Sequence, residues 1–266
     1  MTTRDAGAEP FFLREGTRFI PQPIARGPWN TASLHGRVMI GLLAREIERA
    51  QPDPDFIPAR LTVDMYRLPD LSPIEVKVRA LREGGRLRLY EAELFSGGKS
   101  SARAVCQWLR RSATPEGRVW SPPNWDAPPP DQIPAPTDRR QGMGGMWATR
   151  PITGAFGELG PRRLWMAEVR ELIGGEPLTP FTRVAVAADF ASPFANAGEK
   201  GLAYINSDVT LYLCRLPVGD WIGFEVVNHQ SSDGVAIGET YLYDEQGPIG
   251  SASVAALAQH RERLGG

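Results

Sequence analysis

The sequence predicts an α+β protein made of two antiparallel sheets, each wrapped around a helix. Three observations lead there. First, residues 30–50 (NTASLHGRVMIGLLAREIERA) carry Leu34, Val38, Leu42 and Ile47 at helical spacing, with Ile40 and Leu43 widening the stripe. Second, the runs that follow alternate apolar and polar residues with the period of two of a half-buried strand. Third, the order of one helix followed by four strands recurs after a proline-rich break. The halves share little sequence, so the repeat is one of architecture. At 266 residues and 42% hydrophobic composition the chain has the length and apolar content for two such units.

In chain order, residues 11–24 hold strand-like segments interrupted by Pro21 and Pro23. The first helix spans 30–50, with Thr31 and Ser33 as candidate N-caps and Arg45, Glu46, Glu48 and Arg49 gathered at its end. Gly36, Gly41 and Ala44 are small. Glycine in a helix costs about 1 kcal/mol relative to alanine, so their presence predicts a close approach, expected to be that of a sheet. Pro52 and Pro54 end the helical region. Strands are expected at 59–67, 74–81, 86–95 and 101–110, with turns at Glu83-Gly84-Gly85 and Ser96-Gly97-Gly98-Lys99. Residues 113–141 include Pro115, Pro122, Pro123, Pro128, Pro129, Pro130, Pro134 and Pro136, the composition of an extended linker. Trp120 and Trp125 are expected to pin it to the surface, and Gly142, Gly144 and Gly145 close it. The second half opens with strands at 147–156 and 163–172. A helix at 179–190 follows, with Pro180 in its first turn, then strands at 201–213, 221–228, 236–243 and 249–258. The expected division is an N-terminal unit, 1–112, a linker, 113–145, and a C-terminal unit, 146–266.

The net charge of −1 argues against a nucleic-acid partner; Arg139-Arg140 and Arg162-Arg163 are short and read as solvated. Cys106 and Cys214 lie in predicted strands and read as small core residues rather than a disulfide. No His/Cys cluster suggests a metal, and the histidines are His35, His229 and His260. No apolar run approaches the ~20 residues of a membrane span, and the first residues lack a signal-peptide core; the expected location is the cytoplasm, with no membrane partner. His229 stands close to Ser231, Ser232 and Asp233, but a catalytic triad converges from separate elements, and no GxSxG elbow occurs.

A helix wrapped by an antiparallel sheet, twice in one chain, resembles the double hotdog fold. The pieces in order are similar to the acyl-CoA thioesterase II-like family. In the first half these are Gly27-Pro28-Trp29, Leu34-His35-Gly36 and 82–86 (REGGR). In the second they are 186–190 (VAADF), 204–210 (YINSDVT), Arg215-Leu216-Pro217, Gly219-Asp220-Trp221 and 244–250. The resemblance implies hydrolysis of fatty acyl-CoA thioesters with no cofactor, and association of whole chains into a homo-oligomer. It also implies a water held by an aspartate on the second helix, a polar residue on the next strand and a glutamine on the last strand. These fall on Asp189, Asn206 and Val254, or Ala255 one residue on; neither Val254 nor Ala255 can hold water through its side chain. The Asp-x-Asn-Pro-x-x-His pattern of the hydratase branch is missing.

Thioester hydrolysis needs a group to aim water, donors for the tetrahedral oxyanion and a dry slot for the acyl chain. Asp189, on an apolar helix face, is expected to have its pKa raised by burial. Alternation puts Asn206 on one strand face with Tyr204, Asp208, Thr210 and Tyr212; Asp208 and Thr210 are reserve substrate contacts. The helix start at His35-Gly36 offers backbone amides for an oxyanion, and Gly36 lets a carbonyl come close. The alternative to an enzyme is an acyl-CoA or acyl-carrier binding protein of the same fold, with Val254 as the feature dividing the two.

Overall fold

The structure, a computed structural model, describes residues 8–28, 32–121, 125–136 and 147–259. Strands β1 (Phe12–Glu15) and β2 (Arg18–Pro21) form a hairpin, and helix α1 (Gly36–Ala50) follows. Then come β3 (Phe56–Met65), β4 (Ile74–Glu83), β5 (Leu87–Ser96) and β6 (Lys99–Arg110). The second half opens with β7 (Trp147–Thr153) and β8 (Arg163–Glu168), followed by α2 (Pro180–Ala188) and α3 (Ala191–Asn196). Two two-residue strands, β9 (Ala197–Gly198) and β10 (Gly201–Leu202), pair with each other. The chain continues through β11 (Tyr204–Asn206), β12 (Asp208–Leu213), β13 (Ile222–Ser232), β14 (Val235–Asp244) and β15 (Gly247–Ala258).

The sheet order is β1-β2-β4-β5-β6-β3-β12-β15-β14-β13-β8-β7, with β11 also pairing β15. Both halves follow one plan: β2-β4-β5-β6-β3 is repeated in reverse as β12-β15-β14-β13-β8. They meet where β3 pairs antiparallel with β12, Val63 opposite Val209 and Leu61 opposite Leu211. This is the double hotdog: each sheet closes the other's open edge, which would otherwise present unpaired backbone groups.

The central helix is shorter than the sequence suggested. It begins at Gly36 with His35 as N-cap. Ser33 and Leu34 instead form bridges to Asp70 and Arg26, while Trp29, Asn30 and Thr31 lie outside the described residues. Val38, Ile40, Leu42, Leu43 and Ile47 are fully buried, each worth about 1.5–3 kcal/mol relative to exposure. Gly36 and Gly41 of α1 face the other helix, not a sheet. A Cβ on Gly41 would sit 2.4 Å from Val186 Cγ2 of α2. Arg37, absent from the apolar pattern, is fully buried between the rings of Phe11 and Trp147. Its guanidinium donates to Glu168 of β8 at 2.8 Å, tying the two halves together.

Other expectations need correction. The strand expected at 201–213 is broken at Ala203 and Ser207, and the helix expected at 179–190 ends at Ala188, with α3 following it. The strands expected to reach Phe156 and Leu172 stop at Thr153 and Glu168. Arg162 is buried, not solvated; it donates to the carbonyls of Phe194 and Ala197 at the end of α3. Cys106 is buried in β6, whereas Cys214 is exposed beyond the end of β12; both are free thiols. Trp125 does pin the connecting segment, stacked on Tyr243 with ring centroids 4.4 Å apart and seated where a Cβ on Gly223 would be. Trp120 does not, being 85% exposed. Arg139, Arg140, Gly142, Gly144, Gly145, Pro122, Pro123 and His260 lie outside the described residues.

Candidate active site

The site forms where the end of α2 meets the beginning of α1. Thr179 caps α2, its Oγ1 accepting from the Thr182 amide at 3.0 Å, and Pro180 supplies the fixed φ of a first turn. Asp189 is the C-cap. Its carboxylate would be disfavoured by the α2 dipole, yet it lies against the first residue of α1. A Cβ on Gly36 would be 2.9 and 3.0 Å from the two Asp189 oxygens. The positive end of the longer helix therefore offsets the negative end of the shorter.

Asn206 donates from Nδ2 to Asp189 Oδ1 at 3.0 Å. The sequence placed it on a face with Thr210; the register shows otherwise. Asn206 stands opposite Ala256 and Leu211 opposite Ala252, so five residues on one strand span four on the other. The extra residue is a bulge at Ser207–Asp208, and it reverses the alternation. Asn206 thereby joins the inward face of Val209 and Leu211. Asp208 serves the bulge: its Oδ1 accepts from the Ala255 amide at 2.6 Å. Thr210 sits at the seam, its hydroxyl 3.4 Å from that of Thr62. Neither lines the cavity around Asp189.

His35 reaches Asp189 Oδ2 with Nδ1 at 3.3 Å, and the same nitrogen lies 3.3 Å from the Arg37 amide. A neutral ring cannot donate and accept through one nitrogen. An unprotonated Nδ1 facing a buried carboxylate would be repulsive, so the tautomer carrying its proton on Nδ1 fits, leaving Nε2 unprotonated. Burial lowers the His35 pKa against the pull of Asp189, keeping the ring neutral. For Asp189 the expectation reverses. Burial pushes its pKa up, but the hydrogen bond from His35, the Asn206 amide and the nearby Arg37 outweigh it and hold the carboxylate below its usual range. Asp189 is thus an ionised, buried acceptor flanked by donors.

A cavity of about 180 Å³ opens on these groups, lined by His35, Gly36, Asp189 and Asn206 with Met39, Leu34 and Ile205. Arg67, Tyr66 and Leu68, all exposed, lie at its rim. The cavity therefore draws its helix start from one half and its carboxylate from the other. Val254 is not among the lining residues. It stands opposite Gly238, under α3, and Ala255 points to the other face; the residue across from Asn206 is Ala256. The bulge shifts the register by one, which the sequence alone did not show.

The opposite junction differs. There Glu48, in the last turn of α1, accepts from the hydroxyls of Thr179 and Thr182 at 2.6 and 3.2 Å. The first residue of α2 is Pro180, which has no N–H. That junction is a cap, whereas the Gly36 junction keeps an amide that no turn of its own helix can use. Among the described residues no group of His, Cys, Asp or Glu could hold a metal ion.

Fold and site together define a double-hotdog protein with a buried carboxylate at a helix start. A profile of the acyl-CoA thioesterase N-terminal domain matches residues 25–109, and one of the acyl-CoA thioesterase C-terminal domain matches 121–253. The chain belongs to the thioesterase II-like acyl-CoA thioesterase family. Among solved structures it is similar to the tesB protein of Mycobacterium avium subspecies paratuberculosis (16% identity, 94% of this chain and 96% of that one, TM-score 0.70). It is also similar to acyl-CoA thioesterase II TesB2 of Mycobacterium marinum (17%, 85% and 91%, 0.63). A hot dog fold protein of unknown function from Alicyclobacillus acidocaldarius gives 14%, 94% and 96%, and 0.72. At these identities the likeness is one of fold. A search of curated proteins finds no match. No helix among the described residues is long and apolar enough to cross a membrane.

Proposed function

We propose that this chain hydrolyses an acyl-CoA thioester in the cavity between α1 and α2, with two hotdog units, 1–112 and 146–266, joined by a linker, 113–145. The observation that carries this reading is the ionised Asp189 carboxylate, buried against Gly36 and held by Asn206 at 3.0 Å. Asp189 accepts a proton from water as the water oxygen attacks the thioester carbonyl carbon, and Asn206 orients carboxylate and water. The carbonyl oxygen, now an oxyanion, takes its hydrogen bond from the Gly36 amide, where the α1 dipole favours negative charge. Collapse breaks the C–S bond and the thiolate of CoA leaves, taking up a proton. Arg67 at the rim suits the phosphates of the CoA moiety.

The contact between His35 and Asp189 supports a variant of this reading, in which Asp189 fixes the ring and Nε2 of His35 takes the proton from water. Thiol release from a panel of acyl-CoAs tests the activity, and Asp189→Asn should lower turnover by about 10²–10⁴-fold. Saturable binding with no release from well-folded protein would make the chain a binder. Release that survives Asp189→Asn unchanged would move the site elsewhere. Whole chains are proposed to associate further; a strict monomer in light scattering would refute that.

A further inference from the structure

We propose that Asp208 is a positioning residue of the hydrolytic site, whose carboxylate stands in for a main-chain carbonyl in the bulge and so keeps Asn206 turned towards Asp189; this rests on the thioesterase reading. The first observation is a broken exchange of backbone bonds. In a regular antiparallel ladder, Ser207 and Ala255 would each donate to and accept from the other. The Ser207 amide does donate to the Ala255 carbonyl, at 2.9 Å. The Ser207 carbonyl, however, has turned away and accepts from the Met65 amide of β3 at 2.7 Å. The Ala255 amide donates instead to Asp208 Oδ1 at 2.6 Å. An orphaned backbone donor inside a sheet costs about 1–3 kcal/mol, so the side-chain acceptor is what lets the carbonyl leave.

The second observation is what the bulge carries. It inserts one residue between Asn206, opposite Ala256, and Thr210, opposite Ser253. Without it, a slip of one residue sends Asn206 to the outer face and breaks its bond to Asp189. The bulge also fixes the amide of Asn206. Nδ2 donates to Asp189 Oδ1 at 3.0 Å and to the Asp208 carbonyl at 3.3 Å, so both its hydrogens are engaged and Oδ1 remains to accept from water. The third observation is how poorly a carboxylate suits this place otherwise. Asp208 is half-buried and stands opposite Asp64 across the seam. Burial and that like charge both push its pKa up, and the Ala255 amide opposes them. Asp208 does not line the cavity, so it acts through Asn206 and not on the substrate.

The experiment is thiol release from butanoyl-CoA and decanoyl-CoA by Asp208→Ala, Asn206→Ala and the double variant, each checked for native circular dichroism. Losing one hydrogen bond to a charged group is worth roughly ten- to hundredfold, so each single variant should lower kcat by that factor. Asp208→Ala should leave KM within about twofold. The double variant should be at most about threefold slower than the slower single one, because one residue acts through the other. Losses that multiply overturn the proposal. Asp208→Asn keeps an acceptor for the Ala255 amide and should stay within about fivefold of wild type. A loss as large as that of Asp208→Ala would make charge the cause and overturn the acceptor role. Asp208→Glu keeps the charge but moves the acceptor by one C–C bond, ~1.5 Å, and should lose about tenfold or more. It decides the matter if the alanine variant does not fold, and full activity in it overturns the proposal. Wild-type release with Asp208→Ala unchanged overturns this role and leaves the thioesterase reading intact. No release by wild type from either substrate overturns that reading, and this inference with it.

Discussion

A single methyl group at Gly36 should separate activity from stability. In Gly36→Ala the new Cβ would lie 2.9 and 3.0 Å from the Asp189 oxygens and 3.2 Å from its carbon, closer than real Cβ contacts allow. Asp189 has to give way, and it is buried and held by Asn206 and His35. A shift of some tenths of an ångström would satisfy the methyl but would misaim the carboxylate. A misplacement of about 1 Å can cost ~10²-fold in rate, so a drop in kcat of roughly ten- to hundredfold is expected. The stability effect should be small. Overpacking costs about 1–3 kcal/mol, and alanine regains up to ~1 kcal/mol of helix propensity. Gly41→Ala is the control. Its Cβ would press Val186 at 2.4 Å, in the packing between the helices and away from the cavity. It should lower the melting temperature and leave kcat within about threefold. Thermal melts and thiol-release kinetics on both variants decide the matter. A Gly36→Ala enzyme with unchanged kcat would refute the placement of the reacting groups beside Gly36.

The remaining predictions concern charge and register. Glu168→Gln removes the carboxylate charge that faces the buried Arg37 guanidinium and should cost about 3–5 kcal/mol in denaturant unfolding; an unchanged unfolding midpoint would refute a stabilising role for the pair. His35, neutral in the fold, takes a proton in the unfolded chain near pH ~6.5, so the stability from its depressed pKa is complete above that value and lost as pH falls below it. His35→Gln should flatten the fall in melting temperature between pH 6.5 and 5. Asp189, also depressed, adds its own loss only lower, as pH drops through the carboxylate range. Ala256→Gln puts an amide opposite Asn206, and a hydrogen bond to a charged group contributes about 1.5–3 kcal/mol, so a tenfold gain in turnover is expected where the side chain fits. Val254→Gln should crowd α3 and give no such gain; acceleration by Val254→Gln alone would refute this register.

Much of the fold was legible because its signals are local. Period-two alternation marked β4 through Ile74, Val76 and Val78, and Pro180 and Thr179 marked the start of α2. The break at Ser207 was not, because a bulge depends on the partner strand, and nothing in the run from Tyr204 to Thr210 reveals that Asp208 will bond the Ala255 amide. That one residue decides which way Asn206 points. The family resemblance points to Asp189, but the sequence does not reveal the direction of its pKa shift. Its own helix offers only apolar neighbours, whereas His35 and Arg37 arrive from 152 or more positions earlier in the chain. Arg37 itself carries a sequence signal: a charge on an otherwise apolar helix face calls for a partner.

The seam between β3 and β12 has a consequence for how such a molecule can change. In a pair of identical chains every substitution occurs twice, so a residue that improves one junction alters the other as well. Joining the halves in one chain lifts that constraint. Gly36 has kept an open amide beside Asp189, while Pro180 has given up its amide and Thr179 has engaged Glu48. One junction holds the proposed reacting groups and the other is a capped clamp, so either can be altered without altering its counterpart.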